Sequence, residues 1–142
     1  MHITVTKVVP ATTEEAFDMW LDADSVRRWM CPGDTHVSYL ELNPTVGGAF
    51  RIDMQTSGGQ VLVHAGEYLE IRRPEKLVFS WRLPFDGGNS RVTITFRTQQ
   101  SGCLIVLLHE LLPNDVALQA HRAGWSDILE KFAQQGGKHG NP

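Results

Sequence analysis

The chain lacks most of the features that assign a function quickly. It has two cysteines, Cys31 and Cys103, with no CxxC or other ligand spacing. That excludes a disulfide framework and reads as two reduced thiols in a cytoplasmic protein. The six histidines form no HExxH or other short-spaced pair, so no metal is expected. No GxxxxGKS/T, GxGxxG or GxSxG pattern occurs. This removes the phosphate loop, the dinucleotide fold and the hydrolase elbow, and no cofactor is implied. Lys and Arg are scattered, and a net charge of −3 gives no electrostatic reason to expect nucleic acid. The longest strongly apolar run, Cys103–Leu108, is far short of the roughly 20 residues of a membrane span. Residues 1–30 lack the basic start and apolar core of a signal peptide.

What is present is a globular pattern, with 42% hydrophobic and 20% charged residues in 142. That length suits one domain with one core. Ile3–Val9 is rich in β-branched residues and predicts a strand. Thr12 to Glu15 fits a capping box opening a helix that carries Phe17, Trp20 and Leu21. Asp24 predicts the cap of a second short helix with Val26, Trp29 and Met30. Six strands are then predicted: His36–Leu42, Gly48–Gln55, Val61–Ile71, Leu77–Leu83, Arg91–Thr98 and Cys103–Glu110. A loop is predicted from Pro84 to Asn89, and the hairpin-length links imply an antiparallel meander.

The chain closes with a predicted helix from Asn114 or Asp115 to Gln135, stopped by Gly136-Gly137. Leu118, His121, Trp125, Ile128, Leu129 and Phe132 share one stripe. About 22 residues span roughly 33 Å, enough to cross six or seven strands. The expected class is α+β: a curved antiparallel sheet of six to seven strands, two short helices and one long C-terminal helix across it. Residues 1–135 form the expected domain, and residues 136–142 a flexible tail.

Four stretches carry a family resemblance. Ala11 to Phe17 leads to Arg28-Trp29-Met30. Val46 to Arg51 opens a strand. Gly66 to Ile71 runs through Pro74 and Leu77 to Trp81. His109 precedes a helix containing Gly124-Trp125. In this order they resemble the START-like (SRPBCC, birch-pollen-allergen-like) helix-grip superfamily. Within it the chain is similar to the family named after the activator of the ninety-kilodalton heat-shock protein's ATPase. The resemblance covers about Ile3 to Gln135 and implies the helix-grip fold. The chain departs from it at Met30 and Cys31, where many relatives carry a second Trp and a small residue. Members include ligand carriers, cyclase-like enzymes and many proteins of unknown role, so the fold does not by itself assign a function.

A helix laid over a curved sheet leaves apolar space between them. The expected function is binding of a small, mostly hydrophobic molecule there. The predicted walls are Trp29, Phe50, Met54, Phe79, Trp81, Ile94, Phe96, Leu107 and Trp125, with His64, Tyr68, His109 and His121 as polar points. His109 shares parity with Ile105 and Leu107. His64 faces inward if Gly66 faces the helix to admit it closely; Val61, Val63 and Ala65 fit the core face equally well. Two rivals remain. One is a cyclase-, dehydratase- or hydrolase-like enzyme using a cavity histidine or Tyr68 as acid or base. The other is a co-chaperone stimulating a chaperone ATPase. The first lacks an evident partner for its histidine. A single domain and mild acidity argue against a chaperone partner. Exposed sheet edges permit a homodimer.

Overall fold

The computed structural model describes residues 1–82 and 88–139, with side chains through residue 135. The elements run β1 (Ile3–Val9), α1 (Thr13–Met19), α2 (Ala23–Trp29), β2 (His36–Leu42), β3 (Ala49–Gln55), β4 (Val61–Arg72), β5 (Lys76–Arg82), β6 (Asn89–Gln99), β7 (Gly102–Glu110) and α3 (Asp115–His139). The strands form one curled antiparallel sheet in the order β1-β7-β6-β5-β4-β3-β2. Consecutive hairpins build β2 through β7. β1 then zips onto β7 over its full length, from Ile3 opposite His109 to Val9 opposite Cys103. This is the α+β helix-grip architecture expected from the sequence.

Local chemistry sets the element starts. Thr12 accepts from the Glu15 N–H while Glu15 reaches back to the Thr12 N–H, satisfying two backbone donors at the start of α1. The second helix starts earlier than predicted. Its cap is Asp22, which accepts from the Asp24 N–H at 3.3 Å, and Asp24 falls in the first turn. At the other end of the chain, α3 runs to His139 and passes through Gly136-Gly137. Glycine permits a stop without imposing one, since its cost inside a helix is only about 1 kcal/mol. Residues 140–142 of the expected tail, residues 84–87 of the expected 84–89 loop and residue 83, the last of the expected Leu77–Leu83 strand, lie outside the described residues.

Two glycines show where backbones meet. A Cβ on Gly66 would lie 2.0 Å from the Ser80 carbonyl oxygen and 2.6 Å from the Phe50 ring. Gly66 pairs with Phe50 across β3 and β4. The residue therefore makes room for a cross-strand aromatic ring, not for the close approach of α3 that the sequence suggested. Gly47, at φ 86, supplies the left-handed turn before β3.

The core lies on the concave face of the sheet. α3 grips it with Trp125, Ile128, Leu129 and Phe132, all buried. Phe132 stacks edge-on against Trp29 at 4.7 Å and tilts against Trp20 at 5.6 Å. Polar links fix the same half of the helix. Lys7 on β1 pairs with Glu130 at 2.6 Å. Lys131 donates to the carbonyls of Cys31 and Gly33, and Asp127 accepts from the Gly33 N–H. The segment after α2 is thereby pinned to α3.

Candidate functional site

A cavity of about 410 Å³ lies between the sheet and the first half of α3. β3, β4 and β5 form its floor through Met54, Leu62, His64 and Trp81. Ala117, Ala120, His121, Gly124, Trp125 and Ile128 of α3 form its roof. Pro32 and Thr35 close one side; Asn114 and Val116 stand where α3 begins. Val116 is 81% exposed, which places it at the rim. The lining is mostly apolar with a few polar points, and the volume is that of an ordinary small-molecule site.

The space has a local cause. Gly124 carries no side chain, and Ala117 and Ala120 carry one methyl each, so this half of α3 cannot fill the distance to the sheet. Trp125 fills the inner end, 5.1 Å from Trp81 between ring centroids. A second void of about 20 Å³ lies beyond Trp81, lined among others by Trp20, Phe50, Tyr68 and Phe79. It is large enough for one water. Tyr68 is buried there, and desolvation pushes its hydroxyl up to about 12.

The predicted site residues therefore separate into three groups. Met54, His64, Trp81, His121 and Trp125 come together around the cavity. Phe50, Tyr68 and Phe79 border the smaller void, which Trp81 also touches. Trp29, Ile94, Phe96, Leu107 and His109 line neither and lie in the packed interior. The parity of β4 resolves with His64 inward: it is buried, whereas Val61 and Val63 are 45% and 40% exposed on the other face. Sequence reasoning missed Ala117, Ala120 and Gly124 because it sought large walls, and a cavity is made by small ones. Their signal was present as small residues spaced three and four apart beside the apolar stripe.

His109 is fully buried behind the wall. The Trp125 indole N–H donates to His109 Nδ1 at 3.0 Å. The proton of the neutral ring must then sit on Nε2, which donates to Ser90 Oγ at 2.6 Å. Ser90 in turn donates to the Trp81 carbonyl at 2.8 Å. Every polar atom of the imidazole is used in holding Trp125 against β5. Burial, aided by nearby His121, pushes its pKa down to about 3 and keeps it neutral.

The two cavity histidines are held differently. His64 places Nδ1 3.2 Å from the Leu62 carbonyl and stacks at 5.0 Å on Trp81. Desolvation, aided by His121, pushes it down to about 4, against the opposing pull of the Leu62 and Ile52 carbonyls and Asp53. His121 places Nδ1 2.8 Å from the Ala117 carbonyl one turn back, so that nitrogen is the donor. Its ring meets His109 edge-on at 4.8 Å. Among the described residues no group of three or more His, Cys, Asp or Glu could hold a metal. No helix of the described residues is long and apolar enough to cross a membrane.

The fold is shared with solved bacterial proteins. Protein CV1439 from Chromobacterium violaceum superposes with a TM-score of 0.88 at 25% identity, covering 94% of this chain and 95% of that one. The AHSA1 protein from Silicibacter pomeroyi gives 0.85 at 23% identity over 95% and 96%. The AHSA1-like protein from Aeromonas hydrophila gives 0.82 at 21% identity over 100% and 97%. No curated protein matches the sequence. The profile of the family described as "Activator of Hsp90 ATPase homolog 1-like protein" matches residues 10–136. That span takes in both short helices, β2 through β7 and α3 up to Gly136, and the chain belongs to this family.

Proposed function

We propose that the protein binds one small, mostly apolar molecule between β3–β5 and the first half of α3. The observation that carries the proposal is the cavity of about 410 Å³, with Met54, Leu62, Trp81, Trp125 and Ile128 supplying apolar surface. Burying apolar area there contributes about 25 cal/mol per Å² before the costs of association. The family's fold, built to bind ligands, supports the same reading. Binding is favoured over catalysis by the state of the histidines. His109 is committed to Ser90 and Trp125. His64 and His121 each commit Nδ1 to a backbone carbonyl of their own strand or helix. The unpaired thiols Cys31 and Cys103 fit a cytoplasmic setting.

The test is titration with N-phenyl-1-naphthylamine, a neutral dye whose fluorescence rises in apolar surroundings. Saturable binding of one dye per chain is expected. Absence of saturable binding sinks the reading. Native mass spectrometry of the fresh protein adds the mass of any ligand carried through purification and the number of chains per particle. The family's description motivates one further reading, stimulation of a chaperone ATPase. An ATPase assay with the purified chaperone decides it, and a flat rate removes it.

A further inference from the structure

Three residues with polar atoms, Trp81, His64 and His121, line the apolar cavity. Trp81 is 2% exposed, and its indole N–H has no hydrogen-bond partner among the described residues. A buried donor left unmade costs about 1–3 kcal/mol, so the arrangement favours a partner brought by something else. His64 stacks on that indole at 5.0 Å. His121 faces them from α3 and is close enough to lower the proton affinity of His64. Among the described lining residues there is no Asp or Glu. Asp53, whose charge acts on His64, sits on β3 with the opposite parity to Ile52 and Met54. It accepts from Arg51 Nε at 2.9 Å and from Arg51 Nη2 at 3.0 Å.

We infer that the molecule held in this cavity is an amphipathic acid: an apolar body with one anionic group, placed between Trp81, His64 and His121. The inference rests on the cavity reading above and adds the chemistry of the ligand's polar end. The anion accepts from the Trp81 N–H and from whichever imidazole takes up a proton with it. The one covalent change is an N–H bond on an imidazole, formed with a proton taken from solvent as the anion enters. The groups against these imidazoles include His109, the Leu62, Ile52 and Ala117 carbonyls, and the Arg51-paired Asp53.

Two dyes with one framework separate the two readings. N-phenyl-1-naphthylamine probes the cavity alone. 1-Anilinonaphthalene-8-sulfonate adds an anionic acceptor. The sulfonate dye should bind more tightly as pH falls from 7 to 5, while affinity for the neutral dye stays flat. Trp81→Phe and His121→Gln should each weaken the sulfonate dye by about tenfold more than the neutral one, the scale of one hydrogen bond to a charged group. His121→Gln serves as the check if Trp81→Phe disturbs packing. Equal losses for both dyes, or a sulfonate affinity indifferent to pH, overturn the inference and leave the cavity standing. That result would assign the Trp81 N–H to a water in the adjacent void, where the Trp20 N–H is also unpartnered. Failure of the neutral dye to bind removes both readings.

Discussion

The two halves of α3 share one helix axis and do opposite work. From Trp125 to Phe132 the helix presents four buried apolar side chains, and Lys7, Cys31 and Gly33 tie its polar flank down. From Asp115 to Gly124 no side chain is buried, although the helix crosses the same sheet. The difference lies in volume. The second half sends indole, phenyl and branched aliphatic groups to the sheet; the first presents Ala117, Ala120, Gly124 and one imidazole to the cavity, with Val116 at the rim and Leu118 half-buried against the core. One half is paid in packing energy, and the other leaves room for something that is not protein. A helix gripped at one end can roof a cavity without collapsing into it, because the interior around Phe132 already fixes its direction.

The largest effect is expected where the grip on α3 is removed. Phe132→Ala deletes a ring held between Trp20 and Trp29, and the loss should be about 3–5 kcal/mol. Urea unfolding measures it. A cost below about 1 kcal/mol, the ordinary scale of a point substitution, would mean that α3 is not anchored there and that the two halves do not differ.

A smaller effect is expected at the hinge between the halves, where His109 holds Trp125. His109→Leu strands the Trp125 N–H and takes a donor from Ser90. The cost at pH 7.5 should be about 1–3 kcal/mol. The same variant carries a pH signature that loss of packing alone would not. His109 titrates at about 3 in the folded protein, against about 6.5 when unfolded. Between these values the unfolded chain binds the extra proton, so stability is full above about pH 6.5 and falls as pH drops toward 3. His64, at about 4, adds to the same slope. Removing His109 should flatten the acid side by one proton, about 1.4 kcal/mol per pH unit. An unchanged slope would show that His109 is not buried as a neutral ring.

These histidines also mark how far the sequence could be read. Alternation made the strands legible where one face is apolar, as in Phe50, Ile52, Met54 and in Val92, Ile94, Phe96, whereas β4 carries apolar residues on both faces and its parity stayed open. The α3 stripe was legible for the same reason. The walls were less so. Inward parity does not distinguish a residue facing empty space from one facing another side chain. Met54 and Ile94 both point inward, but only Met54 meets the cavity. That distinction depends on how the helix halves differ across the sheet, which no single strand encodes. His109 shows the limit most clearly: its parity was correct, and its role as a clamp on Trp125 required a contact 16 residues away.

The smallest expected effect on stability comes from filling the roof. Ala120 lines the cavity from the half of α3 that carries no buried side chain. Leucine is nearly as good a helix former as alanine. Ala120→Leu should therefore change unfolding free energy by no more than about 0.5 kcal/mol. Its added carbons occupy the space a ligand needs, and affinity for N-phenyl-1-naphthylamine should fall by about tenfold, or roughly 1.4 kcal/mol. The pairing of outcomes carries the argument. A destabilisation approaching that of Phe132→Ala would mean that the first half of α3 is packed like the second. Unchanged stability with unchanged dye binding would place the dye outside this cavity. Only unchanged stability with lost binding fits a helix whose one half holds the fold and whose other half holds a ligand.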